Sequence, residues 1–597
     1  MALVGAAWLV CELMIDSPFL HQVGVVGACA LFAAAAGRWA PLTALPKRVT
    51  PDVVQRRPVV AFVVALLLLA VGYSRVASPP RLGSPATESA APQIRSNVVL
   101  IVLDTVRAAS LSLYGYTRDT TPHLRDLAGQ ATVYTRAIAP GDMTLSTHAS
   151  MFTGLYARTH GAHFNDEGLG RPLQNQFVTL AELLSEAGYL TIGVVSNHVF
   201  FGSDYGLEQG FDTFDVRPAP QYVLLEQMRN HPNFLLRGPV YHELRRRAPA
   251  SQFERHYRRA AQINAVAFGL LEDVAQRGAP FFLLLNYMDA HWPYVPPPPF
   301  DTRWPGKDAS FNTSRHHRLL RQVVKERRRH IRDAEFAHLT SQYDGAIAYM
   351  DDQVGRVVEQ LKHQGIYDDC LLIITSDHGE AFGERDLVEH GIGVYQDQVH
   401  VPLLIKIPGA RAGSVVDRPV SLVDLMPTVL GVLGRPIPDQ VHGRSLRAQT
   451  TPEPERVVSE SFPNVGFLGA RFARVQRAIY VGSMKYIHAT TGRRELYDLS
   501  ADPLETDDLS QRRTAMFDSM QQRLERWLAD QPEAPDSEAL ADEQTIQRLK
   551  ALGYLEYSVS VNPPPSSACT GRRSAAGRWT APGRNDSTPW KMILARR

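Results

Sequence analysis

The chain has 597 residues, more than one hydrophobic core usually organises, so a large domain with accessory parts is expected. Its 63 Lys and Arg against 61 Asp and Glu leave a formal charge of +2, which offers no bulk attraction for nucleic acid and confines any basic patch to a local surface. The four cysteines, Cys11, Cys29, Cys370 and Cys569, are spaced for neither a disulfide framework nor a zinc knuckle, and none reads as a nucleophile.

Two uncharged runs open the chain, QVGVVGACALFAAAAG at 22–37 and PVVAFVVALLLLAVGY at 58–73. With flanking residues each reaches the length that spans a bilayer, and neither has the polar face of an ordinary surface helix. MALVGAAWLV offers the start of a third span, though Glu12 and Asp16 cut it short. Arg38, Lys47, Arg48, Arg56 and Arg57 lie between the two runs, which places that loop in the cytoplasm and all that follows residue 75 outside the membrane. The expectation is an integral membrane protein in contact with the bilayer, its catalytic part extracytoplasmic: a membrane region at 1–75 with two or three transmembrane helices, then a Pro-, Ala- and Ser-rich linker at 76–96.

From Asn97 short apolar runs alternate with amphipathic segments, the texture of an α/β domain with a mainly parallel sheet covered on both faces. VVLIVL ends at Asp104, LTIGVV at Ser196, Asn197 and His198, FFLLLNY runs into Asp289 and His291, and LLIITS into Asp377 and His378. Polar residues after one strand make an ordinary turn, but four such ends point to the ligand-binding edge of an open sheet. Before the last strand, Tyr343, Ile347, Met350, Val354, Val357 and Leu361 keep a helical spacing that ends near Gly365 and reads as core.

In MTLSTHASMFTG, at 143–154, Thr144 stands at or just before a helix N-terminus, where unpaired N–H groups favour an anion, and Gly154 limits the helix. A capping threonine needs no more. A nucleophilic one also needs a cation to lower its pKa. Asp104, Asp377 and His378 can supply its ligands, two oxygens and one imidazole suiting one divalent ion, Zn²⁺ or Mn²⁺ ahead of Mg²⁺ or Ca²⁺, with the Thr144 oxygen as a further ligand.

NVVLIVLDTVRAASLSLYGYTRDTTPHLRDLA followed by LSTHASMFTGLYARTHGAH resembles the opening of the sulfatase family within the alkaline phosphatase superfamily. FFLLLNYMDAHWPYVPP, YDGAIAYMDDQVGRVVEQL, LIITSDHGEAFGE, VSLVDLMPTVLGVLG and MKYIHATTGRRELYDLSADPLETDDLS continue the likeness in the family's order, over roughly 97–557. The resemblance implies an alkaline phosphatase/sulfatase-like fold: a large mixed sheet flanked by helices at 97–440 and a smaller C-terminal α+β subdomain at 441–557, here preceded by the transmembrane helices and followed by a disordered tail at 558–597. It makes Asp104, Asp377 and His378 metal ligands and puts Thr144 in the nucleophile's place. His291 and His390 become substrate-contacting groups with catalytic roles, and His148, Asn197 and His198 fall among the substrate-binding residues.

The pattern departs from true sulfatases, whose C/S-x-P-x-R segment is converted to formylglycine. Thr144, Leu145, Ser146, Thr147 and His148 lack the convertible residue, the proline and the arginine, so no formylglycine is expected. The segment looks closer to threonine branches with T-L-P-S-H, although Ser146 replaces that proline too. The reading is a membrane-anchored hydrolase of anionic phosphate or sulfate esters, glycan- or lipid-linked. Alternatives are a phosphoethanolamine- or phosphoglycerol-type transferase and a degenerate binder of anionic glycans or lipids. The basic stretch RHHRLLRQVVKERRRHIRD at 315–333 reads as a solvated helix.

Overall fold

The computed structural model describes residues 96–202, 204–219, 255–447, 457–465, 469–534 and 539. The expected membrane spans, nearly all of the linker and the 558–597 tail lie outside these residues. Among the described residues no helix is long and apolar enough to cross a membrane.

In chain order the strands are β1 (Val98–Leu103), β2 (Thr132–Ile138), β3 (Leu190–Val195), β4 (Thr213–Asp215), β5 (Phe281–Tyr287), β6 (Leu371–Thr375), β7 (Ala381–Phe382), β8 (Val388–Glu389), β9 (His400–Val401), β10 (Leu403–Lys406), β11 (Ser414–Ser421), β12 (Val457–Ser461), β13 (Gln476–Val481), β14 (Met484–Ala489) and β15 (Arg494–Asp498). The large sheet has the order β11-β2-β10-β6-β1-β5-β3-β4, with β9 beside β2. Strands β6, β1, β5, β3 and β4 run parallel, while β10 is antiparallel to both β6 and β2, so the sheet is mixed.

The apolar runs of β1, β3, β5 and β6 are buried along their whole length because helices cover both faces. Alternation along β1 sends Val99, Ile101 and Leu103 into one core with Tyr343, Ile347, Met350 and Val354, and Val98, Leu100 and Val102 into a second core with Leu145, Ala149 and Phe152. Each such side chain contributes roughly 1.5–3 kcal/mol on burial. The first core contains the spaced apolar positions of the long helix Asp333–His363, every one of which is buried.

The MTLSTHASMFTG segment forms helix α1 (Thr144–Thr153). It stops where expected: Gly154 is left-handed (φ 68°), its N–H donates to Ser150 O at 2.9 Å, and a Cβ there would meet Val441 Cγ1 at 2.6 Å. The basic stretch departs from the expected solvated helix. It is a short helix, α2 (Thr313–Leu320), a π-helical turn at Arg321–Lys325, and a break before α3 (Asp333–His363). His316, Leu319, Leu320, Val323 and Val324 are buried, because the apolar residues between the charges pack against the first core.

Strands β12 to β15 form a separate antiparallel sheet, packed by α4 (Thr514–Asp530). Its first strand is fastened along the segment that leads into α1. Glu460 N–H donates to Pro140 O at 2.9 Å, Ser459 Oγ to Ala139 O, and Ser461 Oγ to Asp142 Oδ2 at 2.7 Å.

Just past α1, His160 donates from Nε2 to Ser150 Oγ at 2.9 Å and accepts at Nδ1 from Ala162 N–H at 3.1 Å, an arrangement that only the neutral ring satisfies. Burial, with His163 and His442 nearby, pushes it from 6.5 down to about 3. The unfolded chain therefore takes up this proton first as the pH falls. The stability that neutral His160 contributes is complete above about 6.5 and declines toward 3, by about 1.4 kcal/mol per pH unit at most. His160→Gln is expected to flatten the pH dependence of the urea midpoint between pH 6.5 and 4.5. An unchanged slope would mean that His160 is not the group taking up the proton.

Candidate active site

Because β3, β5, β1 and β6 are neighbours, the residues just past their carboxyl ends meet at one edge. Asp104 follows β1 and is fully buried. Thr105 holds a left-handed backbone (φ 63°), an uncommon state for a β-branched residue, and several bonds brace it. Its N–H donates to Asp377 Oδ1 at 3.1 Å, its carbonyl accepts from Tyr343 Oη at 2.7 Å, and the next N–H donates to Ser376 Oγ at 2.9 Å.

Asp104, Asp377 and His378 offer ligand atoms that all lie within 4.8 Å of one another, each fully buried. Asp104 Oδ2 accepts from Asn286 Nδ2 at 3.3 Å and Asn197 Nδ2 at 3.5 Å, while Oδ1 has no partner among the described residues. Asp377 Oδ1 accepts from the N–H groups of Thr105 and His378, and its Oδ2 likewise lacks a hydrogen bond. Burial and then the charge of Asp377 hold the Asp104 carboxyl well above its usual range. For Asp377 burial opposes ionisation, but His378, His148 and the two N–H donors outweigh it and keep the carboxyl low. At that spacing two ionised carboxylates repel by roughly 3 kcal/mol at an effective dielectric of about 20.

The His378 ring donates from Nδ1 to Gly379 O at 3.1 Å, which leaves the Nε2 lone pair 3.4 Å from Asp377 Oδ2 and 3.4 Å from Thr144 Oγ1. Burial lowers its pKa to about 4, so that lone pair is available at neutral pH. Two unsatisfied carboxylate oxygens, an imidazole nitrogen and a hydroxyl converge on one point. That donor set fits one divalent cation, which would neutralise the repulsion.

Thr144 is the first residue of α1 and is fully buried; Met143, at the N-cap, provides no capping side chain. The uncapped first turn, buried through Ser146, is an anion-favouring terminus beside the cation-favouring group. His148 lies one turn on, donates from Nδ1 to Thr144 O at 2.9 Å and sits 3.7 Å from Asp377 Oδ2. Its ring meets Phe201 edge-on at 4.7 Å, so it buttresses the threonine from inside the fold.

The remaining imidazoles form a row: His378 and His390 have ring centroids 4.5 Å apart, His390 and His291 5.0 Å. His291 Nδ1 donates to Trp292 O at 2.7 Å, and burial, then His390, lower its pKa to about 3. His390 Nδ1 lies 3.1 Å from Glu380 Oε1; burial favours the neutral form of each partner. Asn197 is turned onto Asp104 and caps Phe200 N–H, while His198 is half-buried on the same turn.

Three residues escaped the sequence reading. Asn286 fixes Asp104 from within an apolar strand, where a lone amide in FFLLLNY was the available signal. Asp142 accepts from Gly393 N–H at 2.9 Å and from Ser461, joining the approach to Thr144 with the loop after His390; burial lifts its carboxyl to about 6. His316, inside the basic stretch, reaches Glu389 Oε1 at 2.5 Å and stacks on Trp292 at 3.6 Å, so it braces the neighbours of both His390 and His291. No local pattern marks either contact.

The Sulfatase family model matches residues 96–435, more than half of the chain. This chain belongs to the sulfatase family. It is a sulfatase-like ester hydrolase of the alkaline phosphatase superfamily. A second family, described as N-sulphoglucosamine sulphohydrolase, C-terminal, matches residues 384–533. The enzyme is similar to the uncharacterized sulfatase YidJ of Escherichia coli, 24% identical over 376 residues that cover 60% of this chain and 72% of that protein. It is 25% identical to an ulvan-active sulfatase of Formosa agariphila over 421 residues, 70% of this chain and 77% of that one. Among solved structures it resembles a phosphonate monoester hydrolase of Agrobacterium radiobacter with TM-score 0.56 and 23% identity, covering 73% and 95% of the two chains, which supports the fold.

The electrostatics of the acidic pair give a direct test. Zn²⁺ or Mn²⁺ is expected to raise the melting temperature of the wild type but not that of Asp104→Asn or Asp377→Asn. Without metal, Asp104→Asn is expected to melt above the wild type, because a neutral amide relieves the repulsion. Equal shifts in all three proteins would place the cation elsewhere.

Proposed function

We propose that the enzyme hydrolyses phosphate or sulfate monoesters through a covalent ester on Thr144. The observation that carries this reading is the Thr144 hydroxyl, buried at an uncapped helix N-terminus 3.4 Å from His378 Nε2 and beside the two unsatisfied carboxylate oxygens. Asp104, Asp377 and His378, with Thr144 Oγ1, would hold a divalent ion. Such an ion, when bound, supplies charge that lowers a hydroxyl pKa and offsets the charge of an anionic ester.

The helix N-terminus orients the anion, and its charge raises the affinity of His291 and His390 for protons. Thr144 passes its proton to a water molecule, and its oxygen attacks phosphorus or sulfur. The bond to the leaving oxygen breaks as protonated His390 gives that oxygen its proton. Glu380 Oε1, 3.1 Å from His390 Nδ1, orients that ring for the step, and His291 donates to a non-bridging oxygen. Water then attacks the Thr144 ester, gives a proton back to His390 and releases the acid, and Thr144 takes its own proton back from a second water molecule.

Both ester classes stay within the proposal. The named relatives include an ulvan-active sulfatase and a phosphonate monoester hydrolase, and the position of the residue converted to formylglycine holds Thr144, neither Cys nor Ser. Turnover of 4-nitrophenyl phosphate, phenylphosphonate and sulfate is the test. Thr144→Ala is expected to lose on the order of a thousandfold or more in kcat, Thr144→Ser to retain part of it, and mass spectrometry to find the trapped ester on Thr144. Full activity in Thr144→Ala would remove it as nucleophile.

The uncharged runs at 22–37 and 58–73, with the basic loop between them, support an enzyme anchored in a membrane with its catalytic part outside the cytoplasm. The full chain is expected in the membrane fraction after carbonate washing, its catalytic part open to external protease. Recovery in the wash would end the anchored reading.

A further inference from the structure

The basic stretch at 315–333 runs as a strap along the hairpin of β7 and β8, which leads into His390, and meets it at three places. His316 Nε2 lies 2.5 Å from Glu389 Oε1 at the end of β8, His330 Nδ1 pairs with Asp386 Oδ1 at the tip, and a Cβ on Gly383 would meet Ile331 Cγ2 at 2.7 Å. The His330 side chain is 85% exposed, whereas those of His316 and Glu389 are 0% and 7% exposed. A solvated pair contributes little, so the buried one is the contact that holds the hairpin.

Helix α2 delivers His316 to that position. Asn312 caps its first turn by accepting from Arg315 N–H at 3.0 Å, and Leu319 and Leu320 anchor it in the first core. Glu389 is the residue that most needs a partner. Its backbone is left-handed (φ 73°), a state that a residue with a Cβ holds only where its surroundings over-determine it, and it turns the chain from β8 into His390. Ala381 pairs with it across the hairpin, Gln398 Nε2 donates to its carbonyl at 3.0 Å, and His316 holds its carboxylate.

The face of the same imidazole serves His291. It lies on the Trp292 indole with ring centres 3.6 Å apart and planes 10° from parallel, and the Trp292 carbonyl accepts His291 Nδ1–H at 2.7 Å. One buried ring thus bonds by its edge to the residue before His390 and stacks by its face on the residue after His291. The two imidazoles it flanks meet edge to face at 5.0 Å, a contact too soft to set where either nitrogen points.

We propose that His316 and Glu389 are positioning residues for ester cleavage, which fix His390 and His291 at the separation that lets both reach one ester group. The inference rests on the hydrolase reading above, in which His390 gives the leaving oxygen its proton. A displaced His390 then costs most where the leaving oxygen is most basic, because 4-nitrophenolate departs readily without a proton and phenolate gains from one.

The full-length enzyme, supplied with Zn²⁺ or Mn²⁺, would be assayed on phenyl and 4-nitrophenyl phosphates and sulfates, with kcat/KM reporting the cleavage step. His316→Ala is expected to lower kcat/KM about a hundredfold for the phenyl esters and about fivefold at most for the 4-nitrophenyl esters. His316→Gln, whose amide can donate to Glu389 and lie on Trp292, is expected to recover about tenfold of the phenyl loss, and the double variant His316→Ala, Glu389→Ala to be no worse than the poorer single one. A general loss of structure would lower both ester types alike. A loss no larger for the phenyl esters, no recovery in His316→Gln, or losses that multiply in the double variant would overturn the assignment. Should His316→Ala fail to fold, Glu389→Ala carries the same comparison with the stacked ring left in place. If the wild type turns over no ester, crystal structures of the wild type and His316→Gln or Glu389→Ala separate the two readings. Rings of His291 and His390 displaced from their 5.0 Å spacing in Glu389→Ala but not in His316→Gln would support the positioning role although the hydrolase reading has failed, and an unchanged spacing in both would overturn it as well.

Discussion

The confinement of two carboxylates at adjacent strand ends is the constraint around which the rest of this fold is arranged. Asp104 and Asp377 are buried, close, and each short of one hydrogen bond, a combination that destabilises an apoprotein. Everything nearby holds that combination in place. Thr105 keeps a left-handed backbone between them, Tyr343 of α3 pins its carbonyl, and Asn286 and Asn197 fix one oxygen of Asp104. Strain and repulsion of this kind persist only where surrounding packing over-determines them, and two cores on either side of the sheet supply that packing.

The same edge carries a gradient of charge preference. At one side the acidic pair favours a cation, and next to it the first turn of α1 favours an anion, with Thr144 at the boundary. A hydroxyl in that position is subject to both fields, which is what a nucleophile needs and a simple cap does not. His390 and His291, in a row that starts at His378, extend the anion side with imidazoles that burial keeps neutral until negative charge arrives.

Much of this was legible in the amino-acid sequence because strands of a doubly covered sheet must be apolar throughout, and their ends are then conspicuous. VVLIVL, LTIGVV and FFLLLNY are strands with the bounds their composition suggests, and the spaced positions from Tyr343 to Leu361 are all buried. The start and stop of α1 were readable from Thr144 and Gly154. Contacts between segments distant in sequence were not. His316 with Glu389, Ser461 with Asp142 and Glu460 with Arg477 depend on how loops cross, and a charged stretch such as 315–333 conceals its few buried positions among many exposed ones.

The seam between the two sheets has a consequence for how such a chain can change over evolution. Because β12 is bonded along Ala139 to Asp142, the strand that opens the second sheet also sets the height of the loop delivering Thr144. The smaller sheet is therefore not an interchangeable appendage. A graft from another protein would have to reproduce the seam as well as the strands, whereas the turn carrying Phe462, one residue past that seam, is free to diversify without moving Thr144. New substrate preferences are thus most accessible by lengthening or recolouring that turn, with the chemistry held constant behind it.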